Sequence, residues 1–590
     1  MTRSMIEARP FTSKEIKTWP AKAARYSNWP VVYTLDGARS VYVGESLNVA
    51  NRMHQHLANP EKTRQLDTVR VVMADQFNKS ACLDLESFLI RMFAGDGKYT
   101  VVNRNEGITD ADYFDRSRYQ EQFREIFEEL REQGLFQQSI EEIEQSDLFK
   151  FSPFKSLNGD QMVAVDGILR ALFDDLRLGN GGTIAIEGEP GTGKTVVAVY
   201  LLKILADIRE FSATADEVAE LNEESAIAHH FTEANAALLA GASKIGFVIP
   251  QQSLRDTLRK VFKKTPGLSA KMIMTPYNVG ESDEDFDLLV VDEAHRLTQW
   301  ASQSNGFQNK QFKDIMNRLF PGLDREELLT KTQIDWIRAK SRHQLFLLDK
   351  EQSVRPADVP AEKLDEVLET AEKQERRFQL TSQMRVAGGV DYIRHARSLL
   401  TGDLPTRSLP RFEGYDFKIF DDLGEMRRAI KQKDQQVGLS RLLAGYGFKW
   451  VSKKDPSRYD IELDGERLQW NRSDKDWVNT PGSADEVGSI HTIQGYDLNY
   501  AGVIIGPELR YDAEAERFRV DKTEYRDVKG KQDNGMRGIA TSDAELLEYI
   551  QQIYAVLLSR GMRGTYVYAS TPDVREYLHQ VFSGSSDAEN

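Results

Sequence analysis

The stretch Thr183–Thr195, T-I-A-I-E-G-E-P-G-T-G-K-T, constrains the fold of this chain more than any other. The apolar run Ile184–Ile186 predicts a buried strand. Gly188, Gly191 and Gly193 then permit a tight loop whose backbone N–H groups point at an anion. Thr195 opens an apolar helical run, Val196–Ile204. A strand, a glycine loop and a helix in this order imply a bound nucleoside triphosphate. Gly188, Glu189, Pro190, Gly191, Thr192 and Gly193 would wrap the phosphates, with Lys194 on the β- and γ-phosphates and the Thr195 hydroxyl on Mg²⁺.

From Ser156 onward, apolar strands alternate with helical patterns, which predicts parallel sheets. The candidate strands are Ile184–Ile186, Gly246–Ile249, Leu288–Val291 and Leu345–Leu348, then Gly488–His491, Gly502–Ile505 and Gly564–Ala569. Two doubly wound sheets accommodate them better than one. Between the sets, at about 411–485, lies a mixed segment with Trp450, Trp470 and Trp477 and no clear period. Near the start of the chain, Val31–Tyr33 and Val41–Val43 alternate around Asp36-Gly37 as a hairpin, within a small α/β unit. Tyr119, Phe123, Ile126, Phe127 and Leu130 recur at helical spacing before Gly134, predicting a helix docked by one face. The expected organisation is a small α/β domain (1–105), an acidic helical connector (106–155), two doubly wound domains (156–375 and 376–582) and a polar tail (583–590).

The formal charge of the 590 residues is −15, which argues against indiscriminate nucleic-acid binding, yet the distribution is uneven. Residues 1–72 carry eleven Lys/Arg against six Asp/Glu, and residues 106–150 carry five against thirteen. A basic head followed by an acidic connector leaves room for nucleic-acid contact in particular grooves. The single cysteine, Cys82, excludes internal disulfides and multi-thiolate zinc sites, and predicts a core residue. No apolar run approaches the ~20 residues of a membrane span, and no signal-peptide pattern opens the chain, so a cytoplasmic protein with no membrane partner is expected.

A second nucleotide signal, D-L-L-V-V-D-E-A-H, begins at Asp287. Asp292 at the strand end can hold Mg²⁺ through water, and Glu293 can polarise the water that attacks the γ-phosphate. The spelling Asp292-Glu293-Ala294-His295 after such a loop resembles superfamily 1 and 2 helicases, and the later motifs select superfamily 1. The resemblance implies that Gln161, in L-N-G-D-Q, reads adenine, and that Asp349 and Gln352 sense the γ-phosphate. It further implies that Gln383 and Arg385, in L-T-S-Q-M-R, present an arginine from the second domain. Gly488–Asp497, G-S-I-H-T-I-Q-G-Y-D with Gly495, is similar to the Gln-Gly motif, and Arg560 stands at the arginine-finger position with Arg563 nearby. Over about 155–580 the chain resembles the bacterial branch related to the Schlafen helicase domain, which implies two RecA-like doubly wound domains. Ser559 stands where that family usually has Thr, and both carry a hydroxyl.

Val31-Val-Tyr33, Tyr42-Val-Gly44, Arg52, His56, Glu86 and Asn103 resemble GIY-YIG nucleases in order and spacing, with Val in place of the first glycine. The resemblance implies that Glu86 ligates one divalent ion, Mg²⁺ or Mn²⁺. Arg52 would neutralise the scissile phosphate, and His56 or Tyr42 would serve as general base. Tyr33 would orient water or phosphate, while Asn103 braces the fold.

Together these motifs imply an α/β ATPase and endonuclease: an ATP-driven motor joined to a metal-dependent nuclease, acting on DNA in preference to RNA, in defence against foreign DNA or in repair. Two alternatives remain open from the sequence. One is a nucleotide-gated binding switch with a recognition-only head, and the other is a nuclease restrained by ATP through the acidic connector.

Overall fold

The computed structural model describes residues 5–19, 24–104, 113–214, 225–301, 306–352, 355–383, 386–402, 412, 414–473, 477–493, 496–528, 530–531, 533–534 and 540–583. The chain forms two compact units, Met1–Gly182 with Thr195–Phe247 and Arg255–Ile273, and Thr183–Lys194 with Val248–Leu254 and Met274–Asn590. Among the described residues no helix is long and apolar enough to cross a membrane.

In the first unit, five strands pair in the order Met5–Pro10, Thr68–Met73, Val31–Asp36, Ser40–Ser46 and Thr100–Val101. All pairs are antiparallel except the last. The predicted hairpin is present, but Asp36 stays in the ladder opposite Val41, paired through its carboxylate with Arg70. The turn therefore runs from Gly37, whose N–H donates to Ser40 O at 3.0 Å. Strand alternation sends Val31, Tyr33 and Leu35 to one core with Val49, Ala50 and Met53. Val32, Val41 and Val43 face the other, with the helices Lys79–Asp96 and Arg116–Glu132. The second of these is the expected acidic helix: it buries Phe123, Ile126, Phe127 and Leu130, and Gly134 follows it at φ 82°. Cys82 is fully buried here, and burial pushes its thiol up.

In the second unit, one sheet contains Arg377–Leu380, Gly182–Gly188, Ser341–Leu348 and Phe286–Val291, in that order. Phe286–Val291 runs parallel to Ser341–Phe346, and Ala185–Gly188 parallel to Arg377–Leu380. Arg377–Leu380 lay unmarked in the sequence because a four-residue strand with two polar members carries little pattern. The helix after the glycine loop is Lys194–Glu210, longer at both ends than its apolar run predicts.

A five-stranded sheet in the same unit is entirely parallel, in the order Asp416–Phe420, Gly561–Ala569, Leu498–Ile505, Ser440–Ala444 and Val487–Ser489. Two of its strands, with the helix Leu423–Val437 between them, come from the segment 411–485 that shows no period in sequence. Ser440–Ala444 hides because Arg441 sits inside it, its guanidinium buried on Asp434 (2.7 Å) and on Val478 O (3.2 Å). The strand expected at Gly488–His491 is Val487–Ser489, and Ile490–Ile493 is already helical. Gly488 leaves room for the buried Trp477 ring, which a Cβ would strike. Helix Pro572–Ser583 precedes the expected tail, of which 584–590 lie outside the described residues.

Glu508 is completely buried just past the strand Leu498–Ile505. Tyr554 Oη donates to its Oε1 at 2.5 Å, while Oε2 has no hydrogen-bond partner. Gly445, Gly447 and Gly506 crowd it so closely that a Cβ on any of them would strike the carboxyl. Burial pushes this carboxyl up to about 7. The folded state therefore holds the proton more tightly than the unfolded chain. The group's contribution is complete below its unfolded value near 4.5 and is lost as the pH rises through about 7. Urea unfolding should show Glu508→Gln more stable than the parent at pH 8, by on the order of 2–3 kcal/mol, with the difference shrinking toward pH 5.

Candidate functional site

At the C-terminal end of Gly182–Gly188 the chain passes through Glu189–Gly193 into helix Lys194–Glu210. Gly191 (φ 89°) and Gly193 (φ 80°) hold left-handed backbone. The Thr192 hydroxyl closes the loop by donating to Glu189 O at 2.9 Å. Lys194 is nearly buried, and its Nζ donates to Gly188 O at 2.5 Å and Glu189 O at 3.1 Å. Two carbonyls thus hold the ammonium against the loop, where an anion's oxygens can exchange with them. Thr195 is the next residue of the helix and is half-buried.

Parallel pairing brings the end of Phe286–Val291 to the same sheet edge. Asp292 is fully buried, its N–H bonded to Val248 O at 3.0 Å and its Oδ1 accepting the Glu293 N–H at 3.0 Å. Glu293 takes left-handed backbone at φ 50°, a strained conformation for a glutamate at a strand end. Its Oε2 lies 3.2 Å from His295 Nε2. His295 Nδ1 accepts the Asp349 N–H at 3.2 Å, which assigns the ring proton to Nε2, facing Glu293. Burial pushes the Glu293 carboxyl up, but His295, then Lys194 and Arg296, outweigh it and hold the group below its ordinary value. Glu293 is therefore ionised at neutral pH.

Asp349 ends the neighbouring strand and accepts Gln352 Nε2 at 2.8 Å. Gln383 Nε2 donates to Pro190 O at 2.7 Å, which joins its segment to the glycine loop. Arg397, on helix Gly389–Thr401, is a cation the sequence did not single out. Its guanidinium pairs with Glu351 and lies 3.7 Å from Glu189 Oε1 and 3.9 Å from Asp349 Oδ2. No sequence signal marks it, since it is one of two arginines on an ordinary amphipathic helix. Arg560 is buried and donates to Tyr496 O at 3.3 Å, while Arg563 is exposed on the strand Gly561–Ala569. Arg385 and Gly495 lie outside the described residues. In the first unit, Gln161 closes a capping box at the start of helix Gly159–Leu178: Oε1 accepts the Asn158 N–H at 3.1 Å and its own N–H bonds Asn158 Oδ1 at 2.9 Å.

In the N-terminal sheet, Tyr33, Tyr42 and His56 come together. Tyr33 Oη lies 2.9 Å from His56 Nε2, and the Tyr42 ring meets His56 edge-on at 4.9 Å. Lys62, unmarked in the sequence, lies 2.9 Å from His56 Nδ1 and 4.3 Å over the Tyr42 ring. An ammonium can only donate, so Nδ1 accepts and Nε2 carries the proton toward Tyr33. Tyr33 and His56 are fully buried. Arg52 is half-buried one turn before His56 and donates to Gln55 Oε1 at 2.8 Å. Asn103 bonds both the N–H (3.0 Å) and the C=O (2.7 Å) of Val43, bracing the strand edge. Glu86 lies half-buried on helix Lys79–Asp96, which packs the opposite face of the sheet from Tyr33. Gly44 stands directly across from Tyr33, and a Cβ there would collide with the end of the tyrosine ring. Gly44→Ala should therefore destabilise the protein by about 1–3 kcal/mol, as thermal or urea unfolding would show.

Residues 182–571 match the model of the Schlafen group 3, DNA/RNA helicase domain. An uncharacterized protein of Saccharomyces cerevisiae is 28% identical over 402 residues, a span of 67% of this chain and 83% of that protein. Among solved structures, the arterivirus nonstructural protein 10 helicase in complex with DNA is similar at 11% identity and a TM-score of 0.28, covering 69% of this chain and 65% of that one. Another crystal structure of the arterivirus helicase gives 10% and 0.27, over 69% of this chain and 63% of that one. The chain thus spans slightly less than two thirds of those helicase chains. By the match over 182–571, the chain belongs to the Schlafen group 3 DNA/RNA helicase domain family.

Proposed function

We propose that this protein is an ATP-dependent nuclease-helicase, in which a motor (156–375 and 376–582) moves on nucleic acid and a GIY-YIG head (1–105) cuts it, with 106–155 as connector. DNA is the favoured substrate, and defence against foreign DNA or repair the favoured setting. The observation that carries the motor reading is the convergence of Lys194, Asp292, Glu293 and Asp349 at one sheet edge, with Arg397 brought to Glu189. ATP fits this edge: Lys194 offers a buried ammonium to the phosphates, and Thr195 with Asp292 would hold Mg²⁺, which supplies charge neutralisation. Glu293, ionised beside His295, accepts the proton of the attacking water. Gln161 reads adenine in this proposal, with Gln352 sensing the γ-phosphate and Gln383 tying the following segment to the loop. Arg397 supplies charge at the loop, while Arg385, Arg560 and Arg563 would be carried to the phosphates by the second domain.

For the head, the Tyr33–His56–Lys62 chain directs the His56 proton toward Tyr33 Oη, an arrangement that stabilises a tyrosine oxygen carrying negative charge. Tyr33 or Tyr42 then serves as base better than His56, whose two nitrogens are both engaged. Arg52 steadies the phosphate, and Glu86 would ligate Mg²⁺ or Mn²⁺. The burial of Tyr33 and His56 favours a second reading, a nucleotide-gated switch whose head only recognises structure.

Glu86→Ala should abolish metal-dependent DNA cleavage while leaving ATP hydrolysis within twofold. Cleavage retained in that variant would show the assigned nuclease site to be wrong, and cleavage absent from the parent in Mg²⁺ and Mn²⁺, with and without ATP, selects the switch. Lys194→Ala should stop ATP hydrolysis. Arg397→Ala should lower kcat for ATP by roughly 100- to 1000-fold, the scale of losing one charge stabiliser. A change in KM alone would reduce Arg397 to a structural ion pair.

A further inference from the structure

Away from both of these sites, the first unit brings Asp166, His229 and His230 together so that one ligand atom from each lies within 4.8 Å of the others. Asp166 stands on helix Gly159–Leu178, and the two histidines on the short turn Ala228–His230. The turn is clamped to that helix independently of the histidine rings. Asn235 Nδ2 donates to His230 O at 2.9 Å, and Asn235 Oδ1 accepts Arg177 Nη2 at 3.0 Å. Both imidazoles direct Nε2 at a single carboxylate oxygen: Asp166 Oδ1 is 2.8 Å from His230 and 3.3 Å from His229. The two rings stand with their centroids 4.0 Å apart, so both Nε2 edges meet over one oxygen.

We propose that Asp166 Oδ1, His229 Nε2 and His230 Nε2 form a transition-metal site, of the nitrogen–oxygen type that suits Zn²⁺, Co²⁺ or Ni²⁺. Metal–ligand bonds of about 2.0–2.2 Å in tetrahedral geometry place donors roughly 3.3–3.6 Å apart. The Asp166–His229 spacing already falls there, and the Asp166–His230 contact opens by somewhat more than half an ångström when the His230 ring carries its proton on Nδ1 and offers Nε2 to the metal. Arg170 pairs with the other carboxylate oxygen, Oδ2, at 2.6 Å, and orients the group without occupying the ligating atom. The His229 side chain is 52% exposed, which leaves an entry path and a side for a water ligand. An ion here pins the turn to the helix whose first turn carries Gln161, and this holds whether or not Gln161 contacts a nucleotide.

The test is titration of the full-length protein with ZnCl₂ and CoCl₂, without nucleotide and in the Glu86→Ala background. One saturable equivalent of Zn²⁺ is expected, with a Co²⁺ visible absorption band of four- or five-coordinate intensity and a thermal midpoint raised by Zn²⁺. Asp166→Asn and His230→Asn should each weaken uptake at least tenfold and remove the band. His229→Ala, at an exposed side chain that the fold does not need, should do the same with unchanged circular dichroism. Absence of saturable uptake by the parent, or uptake unchanged in His229→Ala, overturns the proposal.

Discussion

A parallel sheet presents the C-terminal ends of its strands along a single edge, and the chemistry of the second unit depends on that constraint. Three successive strand ends deliver Gly188, Asp292 and Asp349 there. Their side chains then form one electrostatic network, because His295 touches both Glu293 and the Asp349 backbone while Lys194 lies within reach of Glu293. Burying this many charges costs several kcal/mol per ion unless each is paired. Here Lys194 has two carbonyls, Asp292 has the Glu293 N–H, and Glu293 has a histidine whose tautomer its other nitrogen fixes.

The N-terminal sheet follows a different rule. Antiparallel alternation gives it two distinct faces, one filled by Tyr33, Tyr42 and the helix carrying His56, the other by apolar side chains under helices Lys79–Asp96 and Arg116–Glu132. The acidic helix Arg116–Glu132 therefore packs on the face away from Tyr33. Gly44 is the geometric partner of Tyr33: its missing side chain is the space the phenol occupies.

Much of this was legible in the residues. The glycine loop, the Asp292-Glu293 strand end, the hairpin at Val31–Val43 and the docked acidic helix each carry a local pattern that one window of sequence contains. Strands 416–420, 440–444 and 377–380 were not legible, being short, interrupted by charge, or both, and held by neighbours distant in sequence. Arg397 and Lys62 were invisible for a related reason: a basic residue on a helix looks the same whether it meets solvent or a buried histidine.

The sequence by itself determined the strand–loop–helix unit at Thr183–Thr195, its acidic partner at Asp292-Glu293, and the N-terminal hairpin at Val31–Val43, because these rest on backbone geometry and hydrophobic period over a few residues. Tertiary structure alone decided that His295 bridges Glu293 and Asp349, that Arg397 reaches Glu189, and that Lys62 orients His56. It likewise decided that Glu508 is sealed among three glycines and that His229 and His230 converge on Asp166. Each of these depends on which distant segments burial brings together, and burial sets both the charge state of a side chain and the direction of its proton.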